Sequence, residues 1–293
     1  MSSFASLLLP HDGSPEAAKG VGCALWLAEA LGATLHVLHA AAQPVSAHEE
    51  LARFDVPSAH RPQVILHQLA GNADDTVLEA ISSYQVDLVV MSARGESASA
   101  GLKLWQRLGT VARAVIERSP VPVLLLPIRY REVLPWTSML AAASGEMAAD
   151  RALEAATQLA AALRIKVTVV HAEDSMDVTG AAMPLDAYTD AAHHEYPHRI
   201  EGMVERGLAG CTPEESGWID QVLLRRGDPG DVLLEQVARR ASSVLALGWH
   251  GALGTGRALV LKRLLEQAEC PLLLVREIEE SSARLKVGED IDE

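Results

Sequence analysis

The chain has 293 residues, 49% of them apolar and 4% aromatic, and a formal net charge of −14 at neutral pH. That length predicts about two domains, and an acidic balance without a long basic run argues against a nucleic-acid backbone or an anionic lipid surface as partner. No apolar run approaches the roughly 20 residues of a membrane-crossing helix, and no basic region precedes the short apolar stretch near the N-terminus, so a cytoplasmic protein is expected. The three cysteines, Cys23, Cys211 and Cys270, are widely spaced and odd in number, which fits reduced thiols better than a disulfide framework or a zinc site.

Taken in chain order, apolar runs of strand length alternate with stretches of helical spacing. ASLLLP (residues 5–10) is followed by a predicted helix over 14–31, TLHVLHA (34–40) and a variable segment, then QVILHQLA (63–70) and a helix over 73–84. DLVVMS (87–92) comes next, and SARGESASAGLKLWQRLGT (92–110) leads into a helix over 110–118 and the run VPVLLLP (121–127). The segment 92–110 is rich in small residues and carries Arg94, Lys103 and Arg107. Small residues let backbone N–H groups approach a phosphate, and a helix start adds a partial positive charge; a plain mobile loop is the other reading.

The chain then repeats itself. LGATLHVLHA (31–40) is echoed by LRIKVTVVHA (163–172), residues 11–30 by 143–162, residues 69–95 by 225–251, and RSPVPVLLLP (118–127) by AECPLLLVRE (268–277). Segments recurring in the same order mark an internal duplication, with units at 1–129 and 136–277 and an acidic tail at 278–293 expected to be poorly packed. Alternating strands and helices predict an α/β fold, a parallel sheet with helices on both faces, and a ligand at the carboxyl ends of the strands. The two final strands, 121–127 and 272–276, would be exposed apolar edges in isolated units, so they are expected to meet as a pseudo-dimer. The copies differ between their second and third strands, where the second copy is longer, and after the fourth, where GALGTGRALVLKR replaces GESASAGLKLWQRLGTVAR. Divergence there indicates that the two sites no longer do the same job.

A strand ending in Asp12-Gly13-Ser14, a second ending in His39-Ala40, a Gly-Asp-Pro turn at 227–229 with Gly71-Asn72-Ala73 in the first copy, and a small-residue loop ending in Gly-Thr together resemble the universal stress protein family in its tandem form. The resemblance covers nearly the whole chain up to Glu277. It implies two tandem five-stranded parallel sheets of Rossmann-like, adenine-nucleotide-hydrolase-like type, and an ATP site, since many members bind ATP. The family's phosphate signature is similar to Gly-two residues-Gly-nine residues-Gly-Ser/Thr. Here the first glycine is Ser92, the second Gly95 and the closing pair Gly109-Thr110, with thirteen residues rather than nine between Gly95 and Gly109. The resemblance places Asp12 on ribose or adenine, the backbone of Ala40 on adenine, and Gly95, Gly109 and Thr110 around the phosphates, with magnesium accompanying them. In the second copy Ser144 replaces Asp12 and Ala258-Leu259 replace Gly109-Thr110, while Gly248 and Gly251 remain, so that copy reads as a degenerate, mainly structural domain. One ATP per chain is expected, in a non-catalytic stress-response or signalling protein, at most a weak ATPase, with a protein partner or a homodimer as further partners.

Simpler readings stand beside these. Asp12 and Ser14 suit a helix N-cap whatever the function, Gly95 a tight turn and Gly109 a helix start. His193, His194 and His198 lie close enough to suggest zinc, but Pro197 interrupts a helix there and no ligand set completes it, so a solvated loop or helix end is favoured and no metal is assigned. His11, His39, His171 and His250 fall at strand ends, where they can line clefts. An adenylate-forming enzyme needs a Ser-Gly-Gly-x-Asp-Ser loop after the first strand, which PHDGSPEA and AASGEMAADR both lack. An interaction module without nucleotide is the remaining alternative.

Overall fold

The computed structural model describes residues 4–94, 108–173, 192–254 and 258–277, with the backbone alone over 192–199. The chain forms β1 (Ser6–Pro10), α1 (Pro15–Leu31), β2 (Thr34–Ala40), α2 (Ala47–Arg53), β3 (Val64–Leu69), α3 (Ala73–Ser83), β4 (Leu88–Ser92), α4 (Thr110–Arg118) and β5 (Val123–Leu126). The second copy runs β6 (Ser138–Ala143), α5 (Met147–Leu163), β7 (Lys166–Glu173), α6 (Ala192–Gly207), α7 (Pro213–Ser216), β8 (Ile219–Arg226), α8 (Pro229–Arg240), β9 (Val244–Trp249), α9 (Leu259–Gln267) and β10 (Leu272–Arg276). Helix α2 occupies the segment that the sequence pattern left unassigned.

Local chemistry sets these elements. Ser14 caps α1 by accepting from the Ala17 N–H, Pro15 opens it, and Gly32 closes it at φ 64 with its N–H on the Ala28 and Glu29 carbonyls. The strands bury both faces, as helix-covered parallel strands must: Leu7, Leu8 and Leu9 are all at most 1% exposed. Leu7, Leu9, Val90 and Leu126 point into one core with α1, whereas Leu8, Val89, Met91 and Leu125 point into the other with α3 and α4.

All ten strands join in one sheet ordered β3-β2-β1-β4-β5-β10-β9-β6-β7-β8. Every neighbour pair is parallel except β5 and β10, which run antiparallel with Leu272 opposite Leu125, Leu273 opposite Leu124 and Leu274 opposite Val123. The expected pairing of last strands is therefore present, and the order reads the same from either end. Each fully buried leucine of this seam contributes on the order of 2 kcal/mol by leaving water. Within each copy the connection order reverses between the first and fourth strands, β1/β4 and β6/β9, which is where a sheet of this kind opens a crevice.

Candidate functional site

A cavity of about 250 Å³ lies at the first of these reversals, lined by His11, Asp12, Ala40, Ser92, Arg94, Gly109 and Thr110 among others. Five of the six residues singled out from the sequence thus come together. The sixth, Gly95, lies outside the described residues, as does the tail at 278–293.

The β1 end is built by local hydrogen bonds. The Ser14 N–H donates to Asp12 Oδ1 at 3.0 Å and the Gly13 N–H to His11 Nδ1 at 3.0 Å, with Gly13 at φ 83. Ser14, not Asp12, is thus the N-cap of α1, while Asp12 holds the turn before it and stays exposed at the cavity rim. Because Nδ1 of His11 accepts, the neutral ring carries its proton on Nε2. That ring stacks on Phe54 with centroids 4.1 Å apart, and burial holds its pKa down to about 4. His39 meets the same phenyl edge-on at 5.2 Å, and its Nδ1 abuts the buried Glu50 carboxylate. Glu50 also accepts from Arg53 at 2.7 Å.

Sequence reasoning missed this backing from α2 and Phe54. No spacing within 47–54 signalled it, because Phe54 meets His11 and His39 only once the strands are assembled.

Ala40 is placed by register. The Leu38 carbonyl accepts from the His11 N–H at 2.8 Å, and the Ala41 N–H donates to the Leu69 carbonyl at 2.9 Å. Alternation along a parallel ladder therefore turns the peptide groups of Ala40 toward β1, at the level where β1 has already left the sheet.

On the other wall the Ala93 N–H donates to Leu126 (2.8 Å), and the Gly109 N–H donates to the Ala93 carbonyl (2.9 Å), which brings the start of α4 beside the end of β4. Gly109 is the buried N-cap residue and no side chain caps the helix. The first amides of α4 consequently have no intrahelical acceptor. Three buried polar atoms of the lining, His11 Nε2, Ser92 Oγ and Arg94 Nε, meet no hydrogen-bond partner among the described residues. Leaving such a group unmatched costs about 1–3 kcal/mol. A ligand offering acceptors beside Arg94 and the start of α4 would remove much of that cost.

The second copy has its own cavity at the β6/β9 reversal, about 520 Å³ in volume, with Ser144, Gly248, Trp249, His250, Ala258 and Leu259 in its lining. Its two retained glycines have structural causes. A Cβ on Gly248 would lie 2.0 Å from the Ala148 carbonyl oxygen of α5, and Gly251 turns the chain at φ 79. Ala258 caps α9 from the left-handed region at φ 51, unlike Gly109 at φ −59. His171 donates from Nδ1 to the Ala143 carbonyl at 2.8 Å, a satisfied structural role. His250 sits between Glu277 (2.7 Å) and Glu146 (2.9 Å), and these hydrogen bonds, Glu277's first, raise its pKa.

Helix α6 runs through Pro197, contrary to the expected interruption. At the sixth position the proline removes the donor to the His193 carbonyl, one intrahelical bond, without ending the helix. The side chains of His193, His194 and His198 lie outside the described residues, and among the described residues no group of three potential metal ligands occurs. Among them also, no helix is long and apolar enough to cross a membrane.

Comparison with known proteins adds an independent line. A model of the "Universal stress protein family" matches residues 4–60, 43–127 and 135–276. A curated Thermus aquaticus protein, "Universal stress protein in QAH/OAS sulfhydrylase 3'region", is 30% identical over 140 residues, spanning 42% of this chain and 98% of its own. The crystal structure of a universal stress protein from Archaeoglobus fulgidus DSM 4304 superposes with a TM-score of 0.61 at 17% identity, covering 94% of this chain and 99% of that one. One from Pseudomonas aeruginosa UCBPP-PA14 gives 0.64 at 17% identity, covering 94% of both chains. At such identities the two structures establish likeness of fold.

Proposed function

The chain belongs to the universal stress protein family, and on that premise we propose that its first half binds one adenine nucleotide, ATP with magnesium, in a protein that responds or signals rather than turning over a substrate. The observation that carries this reading is the convergence of His11 Nε2, Ser92 Oγ and Arg94 Nε, all buried and unmatched among the described residues, in one cavity beside the uncapped start of α4. Phosphate oxygens are acceptors and negatively charged, so they suit a guanidinium and a helix N-terminus together. The backbone of Ala40 and the carboxylate of Asp12 are the acceptors and donors at the opposite, nucleoside end. Arg94 joins the set as the cation on the phosphates. No general base with a substrate-facing partner is assigned, which is why binding rather than chemistry is proposed.

Calorimetric titration with ATP, with and without magnesium, tests the reading. One site per chain is expected, and Arg94→Ala, Asp12→Ala and Gly109→Leu should each weaken it by roughly 10- to 100-fold, the equivalent of a charge-assisted hydrogen bond or two. Two equivalent sites, or an affinity indifferent to all three changes, would overturn it. No binding at all would favour an interaction module.

A further inference from the structure

The two cavities occupy corresponding places, yet their walls differ in one consistent direction. The positions that bring Ser92, Arg94 and Thr110 to the first cavity bring Gly248, His250 and Leu259 to the second, and Trp249, at the position of the core residue Ala93, joins its lining. A hydroxyl, a guanidinium and a second hydroxyl are gone, and an indole and an isobutyl group have been added. The remaining wall is deeply apolar: Val170, Leu233, Leu247, Trp249 and Leu261 are each at most 5% exposed. Leu259, the first residue of α9, is 68% exposed on the cavity rim, an apolar group where the first copy has the Thr110 hydroxyl.

The charge at the mouth points the same way. His250 is bracketed by Glu146 and Glu277, so even a protonated imidazole leaves a net negative charge there. The cations of α9 are engaged elsewhere: Arg263 pairs with Asp228 and Asp231, and Lys262 Nζ donates to the Gly254 carbonyl at 2.7 Å. Phosphates and carboxylates are repelled from such an opening, whereas an uncharged ligand is not. Apolar walls gain free energy in proportion to the area a ligand removes from water, and about 520 Å³ is ample for a drug-sized molecule.

We propose that the cavity of the second copy is a binding site for an uncharged, apolar small molecule of fused-ring or acyl-chain type, separate from the nucleotide site of the first. The probe is N-phenyl-1-naphthylamine, neutral and bright only in apolar surroundings, titrated into the full chain. Saturable binding is expected, with quenching of tryptophan emission, and Trp249→Phe should remove most of the quenching while the probe's own emission still saturates. Ala172→Trp, which fills the cavity from the end of β7, and Leu259→Asp, at an exposed position that folding does not require, should each weaken binding by at least roughly tenfold. Saturating ATP should leave the titration unchanged. Absence of saturable binding, an affinity unmoved by both wall variants, or displacement of the probe by ATP would each overturn the proposal. ATP binding is read in a separate titration of the same protein, so failure of the nucleotide reading would be seen on its own.

Discussion

Gly248→Ala is the most direct test of how the second cavity is built. The added methyl would stand 2.0 Å from the carbonyl oxygen and 2.1 Å from the carbonyl carbon of Ala148, and 2.4 Å from the amide nitrogen of Ala149. Backbone, not a flexible side chain, is in the way. Restoring ordinary contact near 3.5 Å requires the first turn of α5 to retreat from β9 by more than about 1 Å. That turn is anchored by buried Ala148, Ala149, Ala152 and Leu153, so the shift loosens a packed core. Overpacking of this kind costs about 1–3 kcal/mol, and a clash against main chain belongs at the upper end. For a chain of this size about 3 kcal/mol lowers the melting temperature by roughly 6 °C. Differential scanning calorimetry is the assay, with Gly254→Ala, where a Cβ would meet nothing within 4 Å, as the control expected to stay within about 0.5 kcal/mol of the parent. A Gly248→Ala protein that melts with the parent would refute the seating of α5 on β9, and would return Gly248 to the phosphate signature from which packing has removed it.

The remaining predictions concern titration and reactivity. His11 is held neutral with its pKa lowered from 6.5 to about 4 by burial, so the unfolded chain binds the extra proton first and stability falls as pH drops from 6.5 toward 4, by up to about 3 kcal/mol. Denaturant midpoints at pH 7.5 and 5 should therefore differ less in His11→Asn than in the parent, and an equal difference would contradict the assignment. Cys23 and Cys270 are buried with their thiols pushed up to about 12, while Cys211 is only partly buried and raised to about 11. Under native conditions at pH 8 iodoacetamide should label Cys211 first and the other two only at the rate of global opening, which peptide mass spectrometry resolves; early labelling of Cys23 would show that its core opens locally.

The frame was legible because its signals are repeated and local. Apolar runs and caps such as Ser14 and Asp228 occur in both copies or at predictable offsets, and the last strands advertised their need for a partner through unbroken leucines. Legible too, through the resemblance, was the gathering of Asp12, Ala40, Ser92, Gly109 and Thr110, each of which sits at the carboxyl end of a strand or the start of a helix. What escaped was non-local. Phe54 earns its place only when β1 and β2 present His11 and His39 to it, and no spacing within 47–54 announces that. Pro197 misled because a proline removes one intrahelical donor without having to end the helix. Gly248 and Gly251 looked like half of a phosphate loop, since sequence reports the absence of a side chain and not what would collide with one.

The seam explains how two crevices with different linings can coexist in one chain. Leu124, Leu273 and Leu126 belong to a core shared by both copies, as do Leu125, Leu272 and Leu274 on the other face, so substitutions there are felt by the whole sheet. The crevices lie away from it, at the β1/β4 and β6/β9 reversals, where lining residues also border open space. Exchanging Arg94 for His250, or Thr110 for Leu259, changes what a crevice attracts while leaving the strand register intact. The halves still touch near the sites: the Leu253 N–H donates to Glu117 of α4 at 3.1 Å, and Arg276 Nε donates to the Ser119 carbonyl at 3.4 Å. Helix α4, whose start faces the first cavity, thus meets at its far end the loop that leads from β9 toward the second. A duplicated sheet joined edge to edge holds its frame constant through the shared core and leaves each crevice free to acquire its own ligand chemistry.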